Sequence, residues 1–331
     1  MTARTGDRIT LSAAEAAALA EGGLQRIGHG EDAARVIAAH LVESELMGYP
    51  ALGLTRVLTI AEHPRTKEPR KPVTVVHETP VSARLDCGNH VGMYAIRRAA
   101  EVAIAKARAG GFALVGAHNT YLSGRNAYYL DLIARAGFVG LHLASGQPVV
   151  APLGGAGPAF GTNPIGFGIP REPHPVVFDI GTAAANHGDL VLASRLGRVL
   201  PEGVAIDAGG RPTRDPVAAL TGAILPFGGH RGSALSFTIQ ALGLLGGAAF
   251  TRGKVQDYGY LFVVFDPGLL MPAAEFRRQL DELIVRVKAT PRQAGVADIR
   301  IPSERSYAER ERRLVDGIAV ERVIYERIGA L

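Results

Sequence analysis

The sequence predicts an α/β protein, and three of its features carry that expectation. Apolar residues recur at helical spacing near both chain ends. Between Val73 and Ala144 strand-like and helix-like runs alternate, an order that ordinarily gives a parallel sheet. Beyond Pro148 short apolar runs are broken by glycine and proline, which favours a compact, loop-rich β region over a doubly wound one.

Residues 10–49 read as two helices. Ser12 followed by Glu15 fits a capping box, in which each side chain bonds the other residue's backbone N–H. Ala13, Ala17, Ala20 and Leu24 give the first helix a narrow apolar face, and Gly28-His29-Gly30 ends it. Ala34, Ile37, Ala38, Leu41, Val42 and Leu46 serve the second. Gly28–Ala33 also spells G-x-G-x-x-A, but a helix precedes it and Glu31 and Asp32 would repel a pyrophosphate, so a Rossmann turn is disfavoured.

Leu54–His63 is expected to be helical and 64–72 a charged, proline-rich loop. Short strands at Val73–His77 and Ala83–Asp86 precede a helix at Val91–Ala109. A buried strand Phe112–Ala117, a polar loop Asn119–Arg125, a helix Ala127–Ala136 and a strand Val139–Ala144 follow. Apolar runs at Ile165–Ile169 and Val176–Ile180 belong to the β region, before a helix from Ala184 to Leu196. The long apolar run 234–250 reads as a buried helix, then come a strand Tyr260–Phe265 and an amphipathic helix Ala273–Lys288. Ser306 and Glu309 suggest a capping box for a helix starting at Tyr307, interrupted at Asp316-Gly317 before a last helix Val320–Ile328.

Hydrophobic residues at 47% and charged ones at 20% exclude a disordered chain. The net charge of +5 is scattered, and the basic patch Lys67–Lys71 has no interleaved aromatics, so nucleic acid is not an expected partner. Cys87 is the only cysteine, which excludes an intrachain disulfide and any multi-cysteine metal site; no metal is expected. Leu11–Ala20 is too short for a membrane span and Gln240 interrupts 234–250, so the expected setting is cytoplasmic, without a membrane partner.

The stretch with the clearest chemistry is Leu225-Pro226-Phe227-Gly228-Gly229-His230-Arg231-Gly232-Ser233-Ala234-Leu235. Glycines allow close backbone approach and positive φ. The first N–H groups of a helix favour an anion, and an arginine adds a charged fork suited to phosphate or carboxylate. The segment reads as an anion-binding turn, or else as a glycine-rich corner with two solvated basic residues.

Several segments together resemble the malate/L-lactate dehydrogenase family that lacks a Rossmann fold. They are Val149–Pro152 with Gly154-Gly155, Gly161-Thr162-Asn163-Pro164-Ile165, Asp179 with Thr182, and Leu200–Gly203. Gly210–Thr213 with Asp215-Pro216, Pro226–Leu235, Leu261-Phe262 with Asp266-Pro267, and Ile301–Arg305 continue the likeness. The His-Arg-Gly-Ser turn is most similar to the cyclic ketimine (Δ1-piperideine-2-carboxylate) reductase branch. The resemblance implies a largely antiparallel cofactor-binding sheet and a helical domain from both termini. It implies a helical domain at 1–72 plus 305–331, a small α/β substrate-side domain at 73–138 and an NAD(P)-binding domain at 139–304. It further implies a homodimer with the active site near its interface. Cofactor contacts are expected at Ser145, Gly146, Thr162, Asn163, Asp179, Ile180, Gly181, Thr182, His230, Arg231, Ser303, Glu304 and Arg305. Thr162 and Asn163 have a ligand-free turn as their alternative, and Asp179 a helix or loop cap. The cofactor is NADPH or NADH, and Arg231 tilts the expectation to NADPH because it could pair with a 2′-phosphate.

The chain departs from the family pattern where protons are handled. The usual Ser-His-Gly-Val-x-Arg is Ala51-Leu52-Gly53-Leu54-Thr55-Arg56, and the usual Asn-His-Phe-Gly is Tyr121-Leu122-Ser123-Gly124. Arg56 survives as a candidate clamp for a substrate carboxylate through paired hydrogen bonds, with a surface ion pair as its alternative, while Leu52, Tyr121 and Leu122 are placed in the substrate pocket. Leucine can neither transfer a proton nor donate a hydrogen bond. Three readings follow. An iminium substrate arrives protonated and dispenses with much of the acid catalysis a ketone needs, typically worth about 10²–10⁴ in rate. Alternatively another donor acts, drawn from Tyr49, Tyr121, His118, His187 and His230. Or the scaffold binds a cofactor or ligand without dehydrogenase activity. The expected function is NAD(P)H-dependent reduction of a small carboxylated cyclic imine or 2-oxo acid, with Arg56, Asp179 and His187 at the reacting centre.

Overall fold

The computed structural model describes residues 7–248 and 258–331. At the N-terminus come β1 (Arg8–Leu11), α1 (Ala13–Arg26) and α2 (Glu31–Leu46), a 3-10 turn Pro50–Leu52, and α3 (Thr55–Glu62). Ser12 and Glu15 form the expected capping box on α1. Then follow β2 (Thr74–Thr79), β3 (Ser82–Val91), α4 (Gly92–Gly110), β4 (Phe112–Tyr121), α5 (Ala127–Arg135) and β5 (Val139–Ser145). The strand β4 runs on through Asn119 and Thr120 to Tyr121, where the sequence pattern suggested a polar loop.

The middle of the chain supplies β6 (Ile165–Ile169), β7 (Val176–Ile180), α6 (His187–Leu196), β8 (Ala205–Ile206), α7 (Pro216–Thr221), β9 (Ala223–Ile224) and α8 (His230–Gly246). The last third holds β10 (Gly259–Phe265), α9 (Ala273–Lys288), α10 (Glu304–Asp316), β11 (Ile318–Glu321) and α11 (Arg322–Gly329). No helix of the described residues is long and apolar enough to cross a membrane.

Seven strands form the central sheet in the order β2-β3-β4-β10-β5-β6-β7. Only β3 and β4, joined across α4, pair in parallel; every other pair is antiparallel. The strand–helix alternation suggested a parallel sheet, and it gives the directions of β4 and β5 correctly. What it misses is that β10, from far along the chain, inserts between them antiparallel to both.

Alanines 95, 99, 100, 103 and 107 let α4 lie close against one face of the sheet, beside Leu85, Val115, Phe262 and Val264. On the other face Ile239 and Leu242 of α8 pack on Leu143 and Leu261. The expectation that 234–250 forms a buried helix is corrected, and residues 249–250 lie outside the described residues. The inward face of α8 is built from Gly232, Ser236, Ile239, Gly243 and Gly246. These small residues bring the helix backbone onto β10: a Cβ on Gly246 would stand 2.5 Å from the Tyr260 carbonyl oxygen. Phe237 and Leu245, 65% and 61% exposed, point outward.

Both chain ends share one core, in which Leu24, Ile37, Leu41, Leu54 and Ile60 pack with Ile318, Val320 and Ile328. Val320 was expected at a helix start; it lies in β11, which pairs with β1 in a two-stranded ribbon. The expected capping box at Ser306 is also absent. The α10 helix begins earlier, after Ser303 at φ 69°, and Ser306 is a buried helical residue 3.1 Å from the Tyr49 hydroxyl. A smaller core of Val150, Leu190, Leu200, Val204 and Ile224 lies under the glycine- and proline-rich segments.

Candidate functional site

The glycine turn is a tightly built corner. Gly228 and Gly229 have φ of 54° and 62°, conformations that favour glycine, and Gly229 is the N-cap of α8. Gly232 is pressed on backbone: a Cβ there would stand 2.3 Å from the Phe227 carbonyl oxygen and 2.8 Å from that of Thr182. Phe227 N–H donates to the Thr182 carbonyl at 3.0 Å. Thr182 N–H and Oγ1–H both donate to the Thr162 carbonyl, at 2.8 and 3.1 Å, and Ser236 Oγ donates to Thr182 Oγ1 at 2.7 Å. Asn163 Nδ2 donates to the Ser236 carbonyl at 2.8 Å and to Gln240 Oε1 at 3.0 Å. The Gly-Thr-Asn-Pro, Asp179–Thr182 and His-Arg-Gly-Ser elements, far apart in sequence, therefore meet at the start of α8.

That corner presents bare backbone. A Cβ on Gly154, Gly157 or Gly229 would meet nothing within 4 Å, and Leu153 N–H donates to Ser233 Oγ at 3.0 Å, which sets the 153–157 loop beside the first turn of α8. His230 and Arg231 open the helix and both are exposed. Open glycine backbone, a 17-residue helix N-terminus and an exposed arginine suit the phosphates of a dinucleotide. Buried Asn163 Oδ1 has no partner within the described residues, which leaves an acceptor for a ligand donor.

Ser145 and Gly146 adjoin the same corner. Ser145 Oγ is engaged inside, donating to the Gly259 carbonyl and accepting from Gly259 N–H at 3.2 Å each. Its hydroxyl is thus occupied, and only backbone at 145–146 is left for a ligand. Gly146 lies under Gly161, whose Cβ would be 2.8 Å from Gly146 N, and against the ring of Tyr258.

The Ser303–Arg305 loop meets a different part of β7. Ser303 Oγ donates to the Val177 carbonyl at 2.6 Å. Glu304 is engaged with Lys288, which donates to Oε2 at 3.0 Å, and Arg305 is exposed. Two residues beyond Val177, Asp179 Oδ2 accepts the Ala127 N–H at 3.1 Å, at the start of α5. Asp179 is thus a helix cap, the structural alternative to a role in chemistry. Burial pushes its carboxyl up to about 6, against the lowering effect of the Ala127 and Asn126 amides and the Arg125 charge.

Arg56 and His187 are brought together. Arg56 Nε donates to the Ala51 carbonyl at 2.9 Å, which ties it to the turn that carries Leu52. Gly188 admits the guanidinium, since a Cβ there would stand 2.6 Å from Arg56 Nη2. His187 opens α6 and is exposed at the surface, although the protein atoms packed around its imidazole and the Arg56 charge lower its pKa. Glu45 holds the turn from below. Its carboxylate accepts Leu54 N–H at 2.9 Å, and Gly53 has no room for a Cβ beside it. Burial drives the Glu45 carboxyl up to about 7 despite that hydrogen bond and Arg313.

Leu122 adopts φ 55°, rare for a branched residue, with Asn119 at 56° just before it. Arg65 fixes this segment, donating to Asn119 Oδ1 at 2.8 Å and to the Thr120 carbonyl at 3.1 Å. The expectation that Tyr121 lines the pocket is corrected. It is fully buried, stacks on His63 at 4.4 Å, and its hydroxyl lies 3.0 Å from Thr66 Oγ1. Leu52 and Leu122 are partly exposed, as pocket-wall residues would be.

Of the alternative proton donors, Tyr49 is bonded to Ser306, His118 packs on Gly247, and His230 stands at the α8 turn. Only His187 shares the surroundings of Arg56. Sequence reasoning missed Tyr258. Its ring backs Gly146, and the charges of Arg65 and Arg56 act on its phenol, which burial nevertheless pushes up to about 12. No motif marks it in the sequence.

The model of malate/L-lactate dehydrogenases matches residues 11–329. L-sulfolactate dehydrogenase of Methanothermobacter thermautotrophicus is 37% identical over 310 residues, covering 90% of this chain and 89% of that protein. A Δ1-pyrroline-2-carboxylate/Δ1-piperideine-2-carboxylate reductase of Pseudomonas putida is 36% identical, covering 89% of each. Among solved structures, Δ1-piperideine-2-carboxylate reductase of Pseudomonas syringae superposes with a TM-score of 0.84 at 30% identity, over 97% of this chain and 99% of that one.

Proposed function

Because the chain belongs to the malate/L-lactate dehydrogenase family, we propose that it is a nicotinamide-dependent reductase of a small carboxylated cyclic imine, with 2-oxo acids as the second substrate class. The observation that carries this reading is the pairing of Arg56 with Leu52 on one turn. Arg56 would clamp the carboxylate, and the neighbouring Leu52 side chain has no proton to transfer. Relatives named for cyclic imine-2-carboxylate reduction and for sulfolactate and malate oxidation support both classes.

The start of α8, with Arg231, His230 and the 153–157 backbone, would hold the cofactor's phosphates, and Thr162, Asn163, Ile180, Gly181 and Thr182 would line its path. Arg231 favours NADPH through a 2′-phosphate. When bound, the reduced nicotinamide supplies a hydride. Arg56 orients the substrate carboxylate, and the leucines exclude water from the reacting carbon. An iminium accepts hydride to leave a neutral amine, whereas a ketone leaves an alkoxide that must be protonated. His187 and Tyr258 are the groups placed near Arg56 to do so. Ser303, Glu304 and Arg305 sit by β7 and would reach the cofactor from that side.

The same reading assigns 1–72 with 305–331, 73–138 and 139–304 as three units. It makes the protein a homodimer, whose interface would cover Phe237 and Leu245. The test is turnover of Δ1-piperideine-2-carboxylate against pyruvate with NADPH, in the native protein and in His187→Gln and Tyr258→Phe. The imine should be reduced faster and should tolerate both substitutions, while loss of pyruvate reduction in one variant identifies the donor. Equal or faster turnover of pyruvate would sink the imine preference.

A further inference from the structure

The Tyr49 hydroxyl is engaged away from the reacting centre. It lies 3.1 Å from the Oγ of Ser306, a residue of α10 that is 3% exposed. The Tyr49 ring is held by the Arg125 guanidinium, whose carbon stands 5.6 Å from its centroid. The Tyr49 backbone meanwhile builds the turn that carries Leu52. Its carbonyl accepts Leu52 N–H at 2.9 Å, and Gly53 N–H donates to the Pro50 carbonyl at 3.2 Å. Pro50 brings no N–H to this turn. A 3-10 turn of three residues takes its direction from the residues that anchor its ends.

The far end of the turn is anchored to the same helix. Glu45 accepts Leu54 N–H through its carboxylate, and its backbone carbonyl accepts Arg313 Nη1–H at 2.7 Å. Between the two anchors Arg310 Nε–H donates to both Glu43 carboxylate oxygens, at 2.9 and 3.2 Å. Residues 49–54 therefore rest on α10 at both ends. The start of α10 is fixed elsewhere. Ser303 bonds the Val177 carbonyl on β7, and Tyr307 Oη–H donates to Asp131 Oδ1 on α5 at 2.6 Å. Ser306 stands about one helical turn beyond Ser303.

We propose that Tyr49 is a positioning residue. Its bond to Ser306 locks the turn that carries Leu52 and leads into Arg56 onto α10, so that the helix begun by the 303–305 loop orients the carboxylate clamp. This rests on the readings of Arg56 as that clamp and of 303–305 as a cofactor contact. Cofactor at 303–305 steadies the start of α10, and the Tyr49–Ser306 bond passes that order to the turn. Neither Tyr49 nor Ser306 touches the substrate in this assignment.

The test combines steady-state reduction of Δ1-piperideine-2-carboxylate with fluorescence titration of NADPH, with and without butyrate, a carboxylate that cannot accept a hydride. Tyr49→Phe keeps the ring under Arg125 and removes only the hydroxyl. Tyr49→Phe and Ser306→Ala should each raise KM for the imine about three- to tenfold, the scale of one hydrogen bond, with kcat within about twofold of native. The double variant should be no worse than either alone. Butyrate should tighten NADPH binding to the native protein by a similar factor. Each variant should lose that tightening while binding NADPH alone as the native protein does. An unchanged KM in both variants, additive effects in the double variant, or a butyrate effect that is absent from the native protein or survives both substitutions overturns the positioning role. A lower melting temperature with KM unchanged shows structural support only and overturns it too. Two further variants report on the readings beneath it. Arg56→Ala should raise KM and abolish the butyrate effect; if it does neither, the clamp fails on its own account. Arg305→Ala should weaken NADPH; if it does not, the 303–305 contact fails on its own account.

Discussion

The start of α8 and the turn at 49–56 lie in one protein but are built by opposite means. The α8 corner is made of backbone. Gly228, Gly229 and Gly232 set its shape, Thr162, Thr182 and Phe227 lock it through main-chain groups, and side chains contribute little beyond Asn163 and Ser236. The 49–56 turn is made of side chains. Glu45 holds it from below, Arg56 braces it, and Leu52 adds an alkyl side chain to the turn. A backbone cradle fixes a ligand common to a family and tolerates little change. A side-chain pocket can exchange its chemistry one residue at a time.

The largest expected effect tests the pocket. Arg56→Ala should lower kcat/KM for a carboxylated substrate about a hundred- to a thousandfold, as two charge-assisted hydrogen bonds are lost, while NADPH affinity stays unchanged. A matching loss of cofactor affinity would merge the two regions. Next is Gly232→Ala, whose Cβ would collide with the Phe227 and Thr182 carbonyls. It should cost about 3 kcal/mol by chemical denaturation and abolish cofactor binding, and a stable variant that binds NADPH would break the picture of a rigid backbone cradle.

Glu45 gives a pH signature to the pocket. Its folded pKa of about 7 exceeds the unfolded value near 4.5. The stability it contributes is therefore full below pH 4.5 and is lost as pH rises through 7. Glu45→Gln keeps an acceptor for Leu54 N–H and removes the titration. It should be more stable than the native protein at pH 8, by about 3 kcal/mol, and indistinguishable near pH 4. Urea unfolding of both proteins at the two pH values checks this. The smallest effect belongs to an exposed group. Arg231→Gln should weaken NADPH about tenfold and NADH less, as fits a solvent-screened contact, whereas equal weakening of both would place Arg231 on the pyrophosphate.

Helices and short strands with their own periodicity were legible: α1 with its capping box, α4, and α9 at its observed limits. The local strand–helix alternation points to a parallel sheet because β10 enters between β4 and β5 from a distant part of the sequence, which no local pattern reports; the largely antiparallel sheet is legible only through the family resemblance. The apolar composition of α8 suggests a buried helix. Packing there follows side-chain size, with glycines inward and Phe237, Leu244 and Leu245 outward. At the site, glycine and arginine motifs marked the α8 corner directly. Asp179 could not be told from a cap by sequence, since a carboxylate at a strand end serves either purpose, and Tyr121 was drawn into the pocket by its neighbour Leu122. Arg125 and Tyr258 carry no motif, and only the fold reveals what surrounds them.

The central claim is that the pocket beside Arg56 favours carbon–nitrogen double bonds because Leu52 and Leu122 offer no proton, so that a ketone must draw its proton from His187 or Tyr258. Single-turnover oxidation of bound NADPH by saturating Δ1-piperideine-2-carboxylate, set against the same measurement with pyruvate, tests it most directly. The account predicts faster hydride transfer to the imine, and a Leu52→His variant that narrows the gap by accelerating pyruvate alone. Equal rates in the native protein, or a Leu52→His variant that leaves the ratio unchanged, would contradict it.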